Sequence, residues 1–200
     1  YGFKDFILAL GYKGNVIREY FLNWHQMNQD ITIDMAQNET TYHRHHKTLD
    51  WQVSLIDTGE ETLKGGRLKK VSKFITGGQF FVTYGDGVGN IDIKKLIASH
   101  NSMGKTGTFT GVHMPSRFGS VRLTEQGEIE SWKEKPIHKD YINGGFFLFN
   151  SVFLDYLTED DDCELEGEPL ETLAEEKQLN MYQHDGVWYC MDTYRDYEEL

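Results

Sequence analysis

Residues 79–104 read QFFVTYGDGVGNIDIKKLIASHNSMG, and no other stretch narrows the choice of folds as much. An apolar run, Phe80–Val82, ends at Asp86, an acid held between two glycines. Beyond it Ile91, Lys94, Lys95, Leu96, Ile97 and His100 fall at helical spacing. Asp92 or Asn90 can cap that helix, and Gly104 can close it. Asp-Gly is also a hairpin-turn signal. A tight hairpin needs its second strand at once, however, and residues 91–100 have a helical period instead. The stretch therefore reads as a buried strand, a loop and a helix, half of a βαβ unit. In open α/β sheets ligands collect beyond the carboxyl ends of such strands. Asp86 is a candidate functional residue on that ground.

The same alternation runs along the chain. Asp5–Leu10 is expected as a buried strand, and residues 14–28 as a helix with Val16, Ile17, Tyr20, Phe21, Trp24 and Met27 packed into the core. DITIDMAQ and WQVSLIDTG read as strands, and Gly65-Gly66-Arg67 opens the helix RLKKVSKFI. After Gly104 the pattern turns strand-rich, with a hairpin around Glu125–Gln126–Gly127 and a strand at 142–150. VFLDYL and residues 168–179 read as helices, MYQHDGVWYCMDTY as closing strands and RDYEEL as a last helix. Alternating β and α predicts an α/β sandwich with a largely parallel sheet, in one domain over residues 1–200.

Charge removes some functions. With 20 Lys and Arg against 32 Asp and Glu, the formal charge is −12, and no basic stripe offers a nucleic-acid surface. A phosphorylated ligand needs only a few local cations. Cys163 and Cys190 lack CxxC spacing and read as thiols of a reduced, cytosolic chain. No apolar run reaches the roughly 18 residues of a membrane span.

Several stretches could carry chemistry. Asp192 repeats the grammar of Asp86, since WYCM is strand-like and a loop and helix follow. Two carboxylates at strand ends could share Mg²⁺ with substrate phosphates; equally, Asp192 could cap the last helix. In DTGEETLKGGRLKK, two glycines with Lys64 and Arg67 at a helix start suit an anion. WKEKP ends a strand with Glu134 and Lys135, which suit sugar hydroxyls and a phosphate beside Asn143-Gly144-Gly145. Taken alone, a charged strand end is the simpler account of them. His43, His45 and His46 invite a zinc reading, but a solvated loop or subunit contact fits better. DDDCELEGE lacks EF-hand spacing and reads as a charged loop.

In order, KDFILALGYKG, LIDTG…GGRLK, TYGDG, FGSVRL…EKP, INGGFF and MDTYRD resemble the sugar-1-phosphate nucleotidyltransferase family, with GGRLK, HHK and MDTYRD pointing to its cytidylyl branch. The resemblance spans nearly the whole chain. It implies a three-layer, Rossmann-like α/β sandwich with a mixed, mainly parallel sheet. It implies CTP and glucose 1-phosphate as substrates, CDP-glucose and pyrophosphate as products, and a cytoplasmic homo-oligomer that binds neither nucleic acid nor membrane. Asp86 and Asp192 resemble the pair that holds Mg²⁺. Thr62, Arg67 and Gly85 match positions at the nucleotide, and Glu134, Lys135, Asn143 and Gly144 positions at the sugar phosphate. The family's opening strand and GGxGTR-type loop have no counterpart after Tyr1, so the chain is expected to be an inactive fragment. A relative using dTTP, UTP or GTP, a metal-dependent glycosyltransferase, and a non-catalytic sugar-nucleotide-binding module are the competing readings.

Overall fold

The apolar run near the start of the chain forms a strand, β1 (Asp5–Leu10), which pairs in parallel with β4 (Gln52–Asp57) from Asp5↔Gln52 to Leu10↔Asp57. The computed structural model describes residues 1–43, 49–114, 116, 118–137 and 140–200, except the Glu199 side chain, and separates into two units. The first holds Tyr1–Thr76 and Leu157–Pro169, the second Gly77–Tyr156 and Leu170–Leu200.

In the first unit, α1 (Gly14–Leu22) and α2 (Trp24–Met27) divide the single helix expected over 14–28, because Asn23 leaves helical geometry at φ −92° and ψ 1°. Their aromatic stripe is not core. Val16, Tyr20 and Met27 are 56%, 58% and 82% exposed; Tyr20 meets Phe21 and Trp24 edge-on, and Phe21 stacks on Trp24. The two-stranded β1–β4 ribbon offers too narrow a face to cover them. A hairpin, β2 (Ile31–Asp34) with β3 (Glu39–Tyr42), comes next; its second strand lies where only a loop was expected. His45 and His46 lie outside the described residues. Helix α3 (Lys64–Val71) then leads into a 3-10 turn, Ser72–Phe74.

The second unit is built on a four-stranded sheet in the order β11 (Leu179–His184), β7 (Gly107–Val112), β10 (Ile142–Asn150), β5 (Gln79–Val82). β11 runs parallel to β7, while β10 is antiparallel to both β7 and β5. Phe147, Phe149 and Phe153 form a buried stack, with ring centroids 5.4 and 3.9 Å apart. Leu96 of α4 (Ile93–Met103) and Leu173 of α5 (Glu168–Glu175) are also fully buried. Helix α4 is capped as expected: Asp92 accepts the Lys95 N–H at 3.1 Å, and Gly104 closes it at φ 60°. β6 (Gly87–Gly89) pairs with β12 (Trp188–Cys190), and β8 (Ser120–Leu123) with β9 (Ile129–Lys133) around Gly127 at φ 84°. The last helix is α6 (Tyr194–Glu199).

The class is α/β with a mixed sheet, as expected. The balance of pairings differs from the expectation: among the described residues only β1–β4 and β7–β11 are parallel, and the other ladders are antiparallel. Two of the antiparallel ladders, β2–β3 and β8–β9, are hairpins, and a short connection can join only antiparallel neighbours. The others pair strands far apart in the chain, with β10 entering between β5 and β7 in the opposite direction. No helix among the described residues is long and apolar enough to cross a membrane.

Phe149 is stacked on both sides and fully buried, so Phe149→Ala is expected to cost about 3–5 kcal/mol of stability. Urea unfolding measures it; a loss under about 1 kcal/mol would mean the stack is not the core of this unit.

Candidate functional site

Asp86 and Asp192 lie at the same end of one short ladder. β6 starts directly after Asp86, β12 ends shortly before Asp192, and Gly87 pairs with Cys190. Antiparallel pairing sets the start of one strand beside the end of the other. The Met191 N–H then donates to the Asp86 carbonyl at 2.9 Å. One ligand atom from each of Asp86, Cys190 and Asp192 lies within 4.8 Å of the others. The ladder depends on Gly87–Gly89, which from sequence reads only as loop. Three residues, two of them glycine, are too few to show a strand's period.

Asp192 is not the cap of the last helix. That place belongs to Thr193, whose hydroxyl accepts the Asp196 N–H while Asp196 accepts the Thr193 N–H at 2.9 Å. Asp192 Oδ1 instead accepts the Cys190 thiol at 3.2 Å. Loss of solvent around that thiol, its bond to Asp192 and the charge of Asp86 push its pKa up to about 11. It is therefore a neutral S–H donor at pH 7. Two carboxylates beside a neutral thiol suit a hard divalent cation such as Mg²⁺, which takes oxygen ligands and completes its shell with water and phosphate oxygens.

Asn143 and Gly144 join this region through β10. The β10–β7 register shifts between Asn143 and Phe147, so the backbone bulges there. The Gly145 N–H, at φ 75°, donates to Asn143 Oδ1 at 2.9 Å, and Asn143 Nδ2 donates to the Tyr84 hydroxyl at 3.1 Å. The Gly144 carbonyl accepts the Trp188 indole N–H at 2.9 Å. A Cβ on Gly144 would sit 2.7 Å from Val112 Cγ1, and one on Gly145 would sit inside the Tyr84 ring's contact distance. Gly85 is exposed, with open space where a Cβ would go. Tyr84, Trp188 and Cys190 carry no functional signal in the sequence, since an aromatic in a strand indicates only burial until its partner is known.

Glu134 and Lys135 end β9 in a bend, with Lys135 at φ 43°. Both are exposed, and among the described residues neither makes a hydrogen bond or ion pair to the 143–145 segment. The strand ends before Pro136, as WKEKP indicates, but no bond ties either side chain to the segment beside which the sequence suggests they serve a ligand.

In the first unit, Arg67 and Thr62 organise the carboxyl ends of β1 and β4. Arg67 Nη1 donates to the Leu10 carbonyl at 3.2 Å and to Thr58 Oγ1 and the Gly59 carbonyl at 2.8 Å, while Nη2 donates to the Glu60 carbonyl at 2.9 Å. Thr62 is buried, with its hydroxyl 2.7 Å from the Thr58 carbonyl and 2.6 Å from Asp161 Oδ1. Lys70 reaches that same Asp161 oxygen at 2.6 Å, and Lys64 lies 2.7 Å from Glu166 and 3.3 Å from Glu164. The expectation that Lys64 flanks an open anion site is thus corrected: the acidic 160–168 segment matches Lys64 and Lys70 of α3. The sequence could have hinted at it, because the two stretches carry opposite charge.

Residues 13–199 match the nucleotidyl transferase family. The chain belongs to that family. It is 43% identical over 198 residues to the glucose-1-phosphate cytidylyltransferase of Salmonella typhi, covering 98% of this chain and 76% of that one. It is 37% identical over 200 residues to the probable glucose-1-phosphate cytidylyltransferase of Bacillus subtilis (strain 168), covering 100% and 78%. Its fold resembles that of HddC from Yersinia pseudotuberculosis, with a TM-score of 0.65 at 20% identity over 99% of this chain and 77% of that one. Family membership makes the chain that of a nucleotidyltransferase.

In the first unit, Arg67→Ala is expected to lower stability by about 1.5–3 kcal/mol, with Arg67→Lys recovering only part, because an ammonium lacks the planar fork. Equal urea midpoints for all three proteins would show that the carbonyl contacts contribute nothing. Lys70 and Thr62 bond to Asp161 and hold its pKa below the usual 3.8. Its stabilising effect is thus present above that ordinary value and lost as pH falls through the lowered one. Asp161→Asn should remove that part of the acid dependence in a urea titration against pH, and identical profiles would show the bonds are not formed in solution.

Proposed function

We propose that the protein transfers a cytidylyl group from CTP to glucose 1-phosphate, releasing pyrophosphate and forming CDP-glucose. The observation that carries this reading is the meeting of Asp86 with Asp192, at the end of the ladder whose Trp188 bonds Gly144. Its family, and the names of relatives 43% and 37% identical over the whole chain, supply the substrates. Asp86 and Asp192 hold Mg²⁺, which when bound offsets phosphate charge and orients the reacting groups.

The chain's own residues bind and align. Gly85 leaves room for the nucleotide beside Asp86. Arg67 and Thr62 act on the nucleotide through the loop they hold, since their polar groups already bond Leu10, Thr58, Gly59, Glu60 and Asp161. The Asn143 amide and the bare Gly144 backbone take the sugar phosphate. Glu134 is assigned to the sugar hydroxyls and Lys135 to the phosphate by family resemblance. A glucose 1-phosphate oxygen attacks the α-phosphorus of CTP in line, and the bond to pyrophosphate breaks. That oxygen is already ionised at neutral pH, so no general base is needed. The same reading makes the enzyme a cytosolic homo-oligomer, in keeping with two free cysteines.

The test is pyrophosphate release by the complete gene product with Mg²⁺, glucose 1-phosphate and each nucleoside triphosphate in turn. CTP should exceed UTP, dTTP and GTP by at least about tenfold, and Asp86→Asn and Asp192→Asn should each lose about 100-fold or more. Preference for another triphosphate would reassign the branch. Undiminished turnover in either Asn variant would remove that acid from the site.

A further inference from the structure

Between Asn143 and Phe147 the chain steps out of its ladder with β7, and the peptide groups freed there need other partners. Side chains supply them. Asn143 Oδ1 accepts the Gly145 N–H at 2.9 Å, Thr110 Oγ1 donates to the Phe146 carbonyl at 2.9 Å, and Trp188 Nε1 donates to the Gly144 carbonyl at 2.9 Å. Of these donors only Trp188 comes from the strand that leads to Asp192. Tyr84, which leads to Asp86, packs where a Gly145 Cβ would stand and accepts from the Asn143 amide at 3.1 Å. An aromatic just upstream of each acid therefore grips one corner of the same bulge.

We infer that Trp188 is a positioning residue: its indole N–H sets the Gly144 carbonyl, and so the Asn143–Gly145 corner, in fixed relation to the strand that carries Asp192. It touches no reacting atom. Its effect is to hold the corner that receives the sugar phosphate in register with the paired acids, and this functional sense rests on the reading given under Proposed function. The geometry leaves little slack. The Gly144 Cβ position is filled by Val112 and the Thr110 carbonyl, and Gly145 is held at positive φ against the Tyr84 ring. Positioning of this kind shows in the KM for the substrate bound at the corner and in kcat, since a misplaced reactant reacts more slowly, and it spares the KM for the other substrate.

Trp188→Phe keeps an aromatic ring and removes the N–H. Loss of one hydrogen bond of this kind corresponds to about three- to tenfold. In the complete gene product the variant is expected to lower kcat/KM for glucose 1-phosphate by at least that factor, through a higher KM, a lower kcat or both, with the KM for CTP within about twofold. Amide hydrogen exchange across 142–149 should speed up by a similar factor in the variant without any substrate. If the variant does not fold, Tyr84→Phe, which removes only the hydroxyl bonded to Asn143, is judged by the same two readouts. Unchanged exchange across the bulge would overturn the inference, as would a uniform fall in kcat with both KM values rising together. Wild-type protein that does not turn over glucose 1-phosphate would instead refute the proposed substrate, and the exchange measurement would still decide the role of Trp188.

Discussion

Strand β10 must serve two ladders at once and also leave one of them, and most of the second unit depends on how that is done. From Phe147 to Asn150 it pairs with β5, and from Phe147 to Phe149 with β7 as well, and this half carries the phenylalanine stack of the core. Toward Asn143 it slips out of register with β7. Each buried peptide group left without a partner there would cost about 1–3 kcal/mol. Trp188, Thr110 and Asn143 provide partners, and Tyr84 fills the space beside Gly145. The core end of the strand thus anchors an irregular end, and the chain segments that satisfy the irregular end are those that lead to Asp86 and Asp192.

Charge is handled differently in the two units. The chain carries a formal charge of −12, yet nucleotidyl transfer handles polyanions. The most basic helix does not stand ready for phosphate. Lys64 and Lys70 are matched by Glu164, Glu166 and Asp161, and Arg67 spends its guanidinium on three carbonyls and a hydroxyl. On the proposed reading, phosphate charge is met at paired carboxylates through a divalent cation. That arrangement suits an acidic protein, because carboxylates lying within 4.8 Å repel one another until a cation joins them. Cys190 stays out of that chemistry as a neutral donor to Asp192.

Local sequence is a good guide wherever a local rule governs the outcome. The strand before Asp86, the Asp92 cap, the Gly104 stop, the Gly127 turn and the end of β9 before Pro136 all rest on the backbone preferences of a few neighbouring residues. The candidate acids are legible for the same reason, since each comes after a short apolar run. Local sequence fails where burial or partners decide. The stripe on α1 and α2 has the period of a core helix, but among the described residues it stays largely exposed. The GVG strand exists only because Trp188–Cys190 pairs with it.

The order of apolar and polar residues by itself thus determined the α/β class, the location of most strands and helices, and which acids end a strand, because period and capping act within a few residues. Tertiary structure alone decided that Asp86 and Asp192 meet, that Thr193 rather than Asp192 caps the last helix, and that Arg67 and Thr62 bond inward. It also decided that Trp188 and Tyr84 hold the Asn143–Gly145 corner. Those outcomes depend on pairings between residues far apart in the chain, which no local preference encodes.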